Sequence, residues 1–319
     1  MTVVPLTSGR RHDPSDSARS LSVVIVTFNS ASVLPPLLDS LPAGLEGIDD
    51  FEVIVVDNDS RDASAELAQA HPLRPKLVRM GRNAGYAAGI NAAASVAFAD
   101  SDLLILNPDL RVYPGAIKPL LERAGEASVG VAVPRNFRTD GTTDPTLRRE
   151  PSVSTAWADS ILGGPLAGRL GWGEIIGDEE QYERSGSVEW ASGSALLIAA
   201  KARRVVGDWD ETFFLYSEEV DYQRRVREAG FEVVYEPRSH VMHECGDGGR
   251  NPQLFALMTV NKIRYFSRHH GVVQTSLFRL GIALGQAVRA WRGSTHRAAL
   301  RGALTPLKPA LEFIPKPSS

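Results

Sequence analysis

The fold turns on Asp102-Leu103-Leu104-Ile105-Leu106-Asn107-Pro108-Asp109. Its apolar run shows no alternation, which is the pattern of a strand covered on both faces. An amide and a carboxylate then arrive at the strand's end. Hard oxygen ligands at the carboxyl edge of a parallel sheet suit a divalent cation carrying a diphosphate. An Asn-Pro turn after a strand is also a common chain reversal, so the neighbouring segments decide what the triplet means.

On either side the same pattern repeats. Leu21–Val26 and Phe51–Val56 are β-branched runs of strand length, and Lys76–Arg79 is a shorter one. Ser32–Leu41, Ala63–Ala70 and Ala87–Ala99 read as helices, the first tolerating Pro35 and Pro36 because they stand near its start. Strand and helix in alternation predict an α/β fold: a mixed, mostly parallel sheet flanked by helices, with ligands at the strands' carboxyl ends. Residues 134–190 break the rhythm with many Gly, Pro and charged residues and read as a long irregular insertion. Ala195–Ala199 is a further strand, Glu218–Ala229 a helix stopped by Gly230, and Phe231–Tyr235 the last strand. From Leu254 to Arg301 the pattern is helical, which adds a C-terminal extension.

Composition narrows the ligands. The single cysteine, Cys245, excludes an intramolecular disulfide and a cysteine-rich zinc site, and fits a reducing compartment. The net charge of −3 conceals an asymmetry: Val272–Ser319 holds seven Lys/Arg against Glu312 alone, leaving the rest of the chain at −9. An acidic body argues against nucleic acid, whereas a basic tail suits an anionic membrane. Within that tail, Leu277, Phe278, Leu280, Ile282, Leu284, Val288 and Trp291 recur near helical spacing, with Arg279, Arg289 and Arg292 interleaved. An interfacial helix on a membrane and a helix packed on the domain or on a partner copy both fit. Residues 1–20 read as a disordered leader without the apolar core of a signal peptide. No apolar run reaches the ~18 residues of a spanning helix.

Each strand ends in groups that a nucleotide uses. After the first come Thr27, Phe28 and Asn29, an aromatic for stacking and a polar pair for base or ribose; a capped turn would look the same. Asp57, Asn58, Asp59 and Ser60 follow the second, where a carboxylate accepts an N–H from a pyrimidine and Asp59 or Ser60 also suits a helix cap. Arg82-Asn83-Ala84-Gly85-Tyr86 opens the alanine-rich helix, where glycine permits close backbone approach and a helix N-terminus attracts phosphate. Asn91, further into that helix, shows no packing role. Glu218, Glu219 and Asp221 crowd like charge at a helix start. Such a cluster complements the helix dipole, and it also raises a carboxyl pKa toward the range of a general base. His240 and His243 stand after the last strand, with a Gly-rich segment and Arg250 beyond, able to close over a diphosphate or ligate a metal.

Together these segments resemble family 2 glycosyltransferases of the GT-A fold. Val-Val-Ile-Val-Thr-Phe-Asn (23–29), Val-Asp-Asn-Asp-Ser (56–60), Arg-Asn-Ala-Gly-Tyr (82–86), Leu-Asn-Pro-Asp (106–109), Trp-Ala-Ser-Gly-Ser (190–194), Trp-Asp-Glu-Thr-Phe-Phe (209–214) and Glu-Glu-Val-Asp-Tyr (218–222) run in family order. The resemblance covers residues 21–270. Asn-Pro-Asp and Trp-x-Ser-Gly look most like the rhamnosyltransferases that use dTDP-rhamnose and a polyprenyl-diphosphate-linked N-acetylglucosamine. It implies an inverting enzyme using Mg²⁺ or Mn²⁺, with a nucleotide-binding half at 21–133, an acceptor half at 134–270 and a basic amphipathic tail at 271–319.

Thr27, Phe28, Asn29, Asp57, Asn58, Ser60, Asn83, Gly85, Tyr86, Asn91 and Asn107 would hold the sugar nucleotide. Asp109 and His243 would serve the metal. Trp190, Ser192 and Gly193 would line the acceptor side, with Glu219 the base and Glu218 and Asp221 beside it. Residue 219 usually holds aspartate in this family and residue 107 often does too. The implied partners are a nucleotide-diphosphate sugar, a glycan or lipid-linked glycan acceptor, an anionic membrane on its cytoplasmic face, and a second copy as a homodimer. A catalytically silent relative, or a transferase using a UDP-sugar, is the competing reading. An NAD-dependent enzyme is disfavoured because Thr-Phe-Asn-Ser follows the first strand where a Gly-x-Gly-x-x-Gly turn would stand.

Overall fold

The computed structural model describes residues 19–244 and 251–306. Most of the expected leader, the Gly-rich segment with Cys245 and Arg250, and residues 307–319 lie outside the described residues.

Strands β1 (Leu21–Thr27), β2 (Phe51–Asp57), β3 (Lys76–Arg79) and β4 (Asp102–Leu106) alternate with helices α1 (Leu34–Gly44), α2 (Ser64–Ala70) and α3 (Tyr86–Val96). They lie in the order β3-β2-β1-β4, all parallel. Chain order therefore reverses at β1, and a crevice opens there outside the carboxyl ends of β1 and β4. β1 is buried along its whole length because both faces are covered. Val23 and Ile25 meet Leu34, Leu37 and Leu38 of α1, while Val24 and Val26 face Ala87 and Ile90 of α3. Alanines, together with Gly89, whose added Cβ would stand 2.6 Å from Val26, let α3 approach the sheet closely.

The second half of the sheet is mixed. It is built from β5 (Leu110–Val112), α4 (Ile117–Gly125), β6 (Val129–Phe137), β7 (Leu147–Arg148), α5 (Val153–Leu162), α6 (Gly164–Arg169), β8 (Gly186–Val188) and β9 (Trp190–Ala191). β10 (Ala195–Ile198), α7 (Ala200–Val206), α8 (Glu218–Glu228) and β11 (Glu232–His243) complete it. The full order is β3-β2-β1-β4-β10-β6-β11-β5, with β8 pairing on β11. β10 runs antiparallel to β4 and β6, and β11 runs parallel to β6. Most strands thus share one direction, as the sequence predicts.

Two expectations need correction. Residues 134–190 are not irregular: β6 runs into them and α5 starts on a capping box in which Ser152 and Thr155 satisfy each other's backbone N–H. The last strand does not stop at Tyr235; after an irregularity between Glu236 and His240 it continues to His243, so both histidines lie in it. The C-terminal pattern is three helices, α9 (Pro252–His269), α10 (Val272–Arg289) and α11 (Ser294–Leu304). They pack on the rest of the molecule. Phe278 of α10 is buried and stacked on Phe266 of α9 at 4.0 Å between ring centres, and Trp157 of α5 donates its indole N–H to Leu277 O at 3.0 Å.

Candidate active site

The crevice that the strand order opens lies where β1 ends in Thr27 and β2 in Asp57. Thr27 is fully buried, and its hydroxyl sits 3.4 Å from Asp57 Oδ1. Asn29 has a left-handed backbone (φ 52°) held from both sides: its N–H donates to Ser60 Oγ, and its Oδ1 accepts from Arg61 N–H. Phe28 stays 46 % exposed on the rim, where an aromatic has no partner within the fold but suits a stacked base. Asn58 is buried and braces the neighbouring loop: Nδ2 donates to Asn83 Oδ1 and Gly85 O, and Oδ1 accepts from Ala84 N–H. Asn83 therefore meets the site through Asn58.

Gly85 is at φ +96°, and a Cβ there would stand 2.4 Å from Phe214 O. Glycine is required for this close approach. The same carbonyl accepts the N–H of Tyr86 at 2.7 Å. Tyr86 Oη donates to Asn107 Oδ1 at 2.9 Å. Burial, then the charges of Glu218, Asp109 and Glu219, keep that phenol protonated far above its ordinary range. Tyr86 thus stands between the end of β4 and the start of α8.

At the end of β4, Asp109 Oδ1 lies 3.2 Å from His243 Nε2, and Asp144 Oδ2 lies 3.7 Å from Nδ1. Burial opposes a charged imidazole, but the hydrogen bonds and charges of Asp109 and Asp144 outweigh it and lift His243 to about 9. Asp144 was not foreseen; Thr-Asp-Pro in a loop carries no signal that it will reach the last strand.

The acids of α8 divide. Glu218 and Glu219 line a cavity of about 640 Å³ together with Asn107, His243, Trp190 and Gly193. Asp221 is drawn away, paired with Arg225 at 2.9 Å and Arg268 at 3.9 Å. It belongs to an ion-pair network on another face of the helix, a correction to its grouping with the catalytic acids. Burial, then Glu219, push the Glu218 carboxyl well above its usual range. Burial also raises Glu219, but the Arg148 guanidinium opposes that rise.

An unusual loop presents this pair. Phe214, Tyr216 and Ser217 all have positive φ, and Leu215 N–H bonds to Phe213 O at 2.7 Å across Phe214. Such conformations are sterically costly and persist only when surrounding structure holds them. Asn261 of α9 supplies the hold: fully buried, its Nδ2 reaches Phe213 O (2.7 Å), Leu215 O (2.8 Å) and Tyr216 O (3.3 Å). Sequence reasoning missed Asn261 because a polar residue in a helical pattern gives no sign of its partner.

On the other wall, Trp190 Nε1 donates to Arg149 O, and Ser192 N–H bonds to Thr146 O. A Cβ on Gly193 would stand 3.2 Å from Glu219 Cβ, so the glycine leaves room for the carboxylate. Asn91 is not near this cavity. It exchanges bonds with the backbone of Trp209 (Oδ1 from N–H, 2.9 Å; Nδ2 to O, 3.0 Å), which anchors the segment leading to Phe213. Its expected place at the nucleotide is corrected to this structural one.

Comparison with known proteins agrees with this geometry. Residues 22–186 match the family described as glycosyl transferase family 2. N-acetylglucosaminyl-diphospho-decaprenol L-rhamnosyltransferase of Mycobacterium tuberculosis is 31 % identical over 244 residues, covering 73 % of this chain and 78 % of that protein. Among solved structures, a mannosyltransferase from Pyrobaculum calidifontis, in complex with GDP-Man and Mn²⁺, superposes with a TM-score of 0.53 at 15 % identity over 94 % of this chain and 84 % of that one. GalNAc-T7 with UDP, GalNAc and Mn²⁺ superposes at 0.55 and 17 % identity, over 78 % of this chain and 48 % of that chain. The last two establish the fold they share.

Proposed function

Since the chain belongs to glycosyl transferase family 2, we propose that it moves rhamnose from dTDP-rhamnose to a hydroxyl of a polyprenyl-diphosphate-linked N-acetylglucosamine, with inversion. The observation that carries this reading is one cavity lined together by Asn107, His243, Glu218 and Glu219. The name of the relative from Mycobacterium tuberculosis, an N-acetylglucosaminyl-diphospho-decaprenol L-rhamnosyltransferase, supports the rhamnosyl group and the acceptor, and the Asn-Pro-Asp and Trp-Ala-Ser-Gly segments support the same branch.

In this reaction Thr27, Phe28, Asn29, Asp57 and Ser60 hold base and ribose. Glu219 accepts the proton of the acceptor hydroxyl as it attacks the anomeric carbon from the face opposite the leaving diphosphate. Glu218, kept protonated by burial and by its neighbour, adds no second negative charge beside the developing alkoxide. Tyr86 donates to Asn107 and so fixes the amide of the Asn-Pro-Asp triplet against the cavity.

Asp109 would offer a divalent cation one hard carboxylate oxygen, and His243 an imidazole nitrogen once the cation displaces the proton that Asp109 and Asp144 stabilise. Bound Mg²⁺ or Mn²⁺ would supply charge neutralisation at the departing diphosphate. The excess of Lys and Arg in the C-terminal helices supports association with an anionic membrane surface, where a lipid-linked acceptor would be reached.

Transfer assays on Glu219→Gln test the assignment. Turnover should fall roughly 10²- to 10⁴-fold while nucleotide affinity stays near that of the parent. A variant with full activity would remove Glu219 from the mechanism.

A further inference from the structure

Beyond the carboxylate pair, the cavity wall carries a second charged group that none of the seven family-like segments supplies. Glu174 is only 8 % exposed, and Lys262 Nζ of α9 meets its Oε2 at 2.5 Å. Asp159 of α5 lies beside them: Oδ2 accepts a long bond from Glu174 N–H (3.5 Å), while Oδ1 is buried without a hydrogen-bond partner among the described residues. All three residues line the cavity that holds Glu218 and Glu219. Gly173 makes room for this arrangement, since a Cβ there would stand 2.5 Å from Asp159 Oδ1. Burial, against the pull of Lys262 and with the push of Glu174, raises the Asp159 carboxyl. The group shares its cavity with the proposed base.

Folding alone gives no reason for this cluster. Charges drawn from three separate segments into a cavity wall stabilise a fold little, and a carboxylate oxygen without a partner is costly. Charged side chains that line a cavity need polar partners in the ligand that fills it. Two carboxylates would repel a diphosphate, and an apolar chain would leave them unsatisfied. A neutral, polyhydroxylated ligand fits: ring hydroxyls donate to Asp159 and Glu174 and accept from Lys262.

We propose that Asp159, Glu174 and Lys262 form the subsite for the ring hydroxyls of the acceptor sugar, beside the hydroxyl that Glu219 deprotonates. This inference rests on the transferase reading above and adds the residues that select the acceptor. The test compares transfer onto octyl N-acetylglucosaminide and its monodeoxy analogues, using the parent enzyme, Asp159→Asn and Lys262→Met, with Lys262→Arg as the charge-conserving variant. The parent should lose roughly 10- to 100-fold in kcat/KM when a contacted hydroxyl is removed, the scale of a charge-assisted hydrogen bond. Asp159→Asn and Lys262→Met should be nearly indifferent to that removal, and Lys262→Arg should recover part of the discrimination. Variants that discriminate as sharply as the parent would overturn the subsite alone. A parent enzyme that hydrolyses the donor yet glycosylates none of these sugars would overturn the acceptor reading and the subsite with it.

Discussion

Glu218 and Glu219 are adjacent in sequence and alike in chemistry, yet their surroundings give them different states. Burial raises both, while Arg148 favours the ionised form of Glu219 only. A base whose pKa is raised is active above that pKa, so kcat should rise with pH along an acidic limb displaced upward from the ordinary carboxylate range. Removing the cation removes one of the influences that oppose this rise, the backbone N–H groups at the helix start being the others. In Arg148→Gln the limb should therefore move to still higher pH, which a kcat profile across pH 5–9 measures directly; an unmoved limb would exclude Arg148 from tuning the base. The sequence shows three acids in four residues, but it cannot show which of them faces solvent, cavity or arginine. Asp221 was inseparable from the pair until Arg225 and Arg268 were seen on either side of it.

Elements position these residues, and here legibility varies with the range of the interactions. Strands β1, β2 and β4 were evident because uniform apolar runs between polar ends state their own burial, and their carboxyl ends carry residues proposed to bind the nucleotide. β6 and the second half of β11 were not, because Pro134, Arg135 and Asn136 in one and Pro237, Arg238 and Ser239 in the other interrupt the pattern. Only pairing between these distant strands, across an irregularity, extends them. The loop before α8 is the extreme case: three positive-φ residues without a glycine among them, held by one side chain from a helix more than forty residues later. Asn261→Ala should cost about 2–3 kcal/mol of stability, since it leaves carbonyls buried without donors. It should also lower kcat more than it raises the donor KM, because the nucleotide-binding strands are untouched. Equal changes in both constants would mean that Asn261 serves stability alone.

At the scale of the whole molecule, charge and apolar surface are sorted. Residues 251–306 hold eight Lys/Arg and no acid. One face of α10 exposes Val273, Leu277, Leu280, Leu284 and Val288, and Trp291 follows. Ile282, Gly285 and Arg289, on the opposite face, line the cavity. No helix among the described residues is long and apolar enough to cross a membrane. Docking of α10 on lipid would therefore hold the cavity about one helix diameter, ~10 Å, from the bilayer surface. Leu280→Glu combined with Leu284→Glu should release the protein from phosphatidylglycerol vesicles in a sedimentation assay; retained binding would contradict a lipid-facing α10. The most direct test of the central claim lies at the other side of the same cavity. Calorimetric titration with dTDP, UDP and GDP, in Mn²⁺ and in EDTA, should give binding of one nucleotide, dTDP for a rhamnosyl donor. That binding should weaken at least tenfold without metal and in Asp109→Ala, whereas no binding, or binding indifferent to metal and to Asp109, would contradict the account.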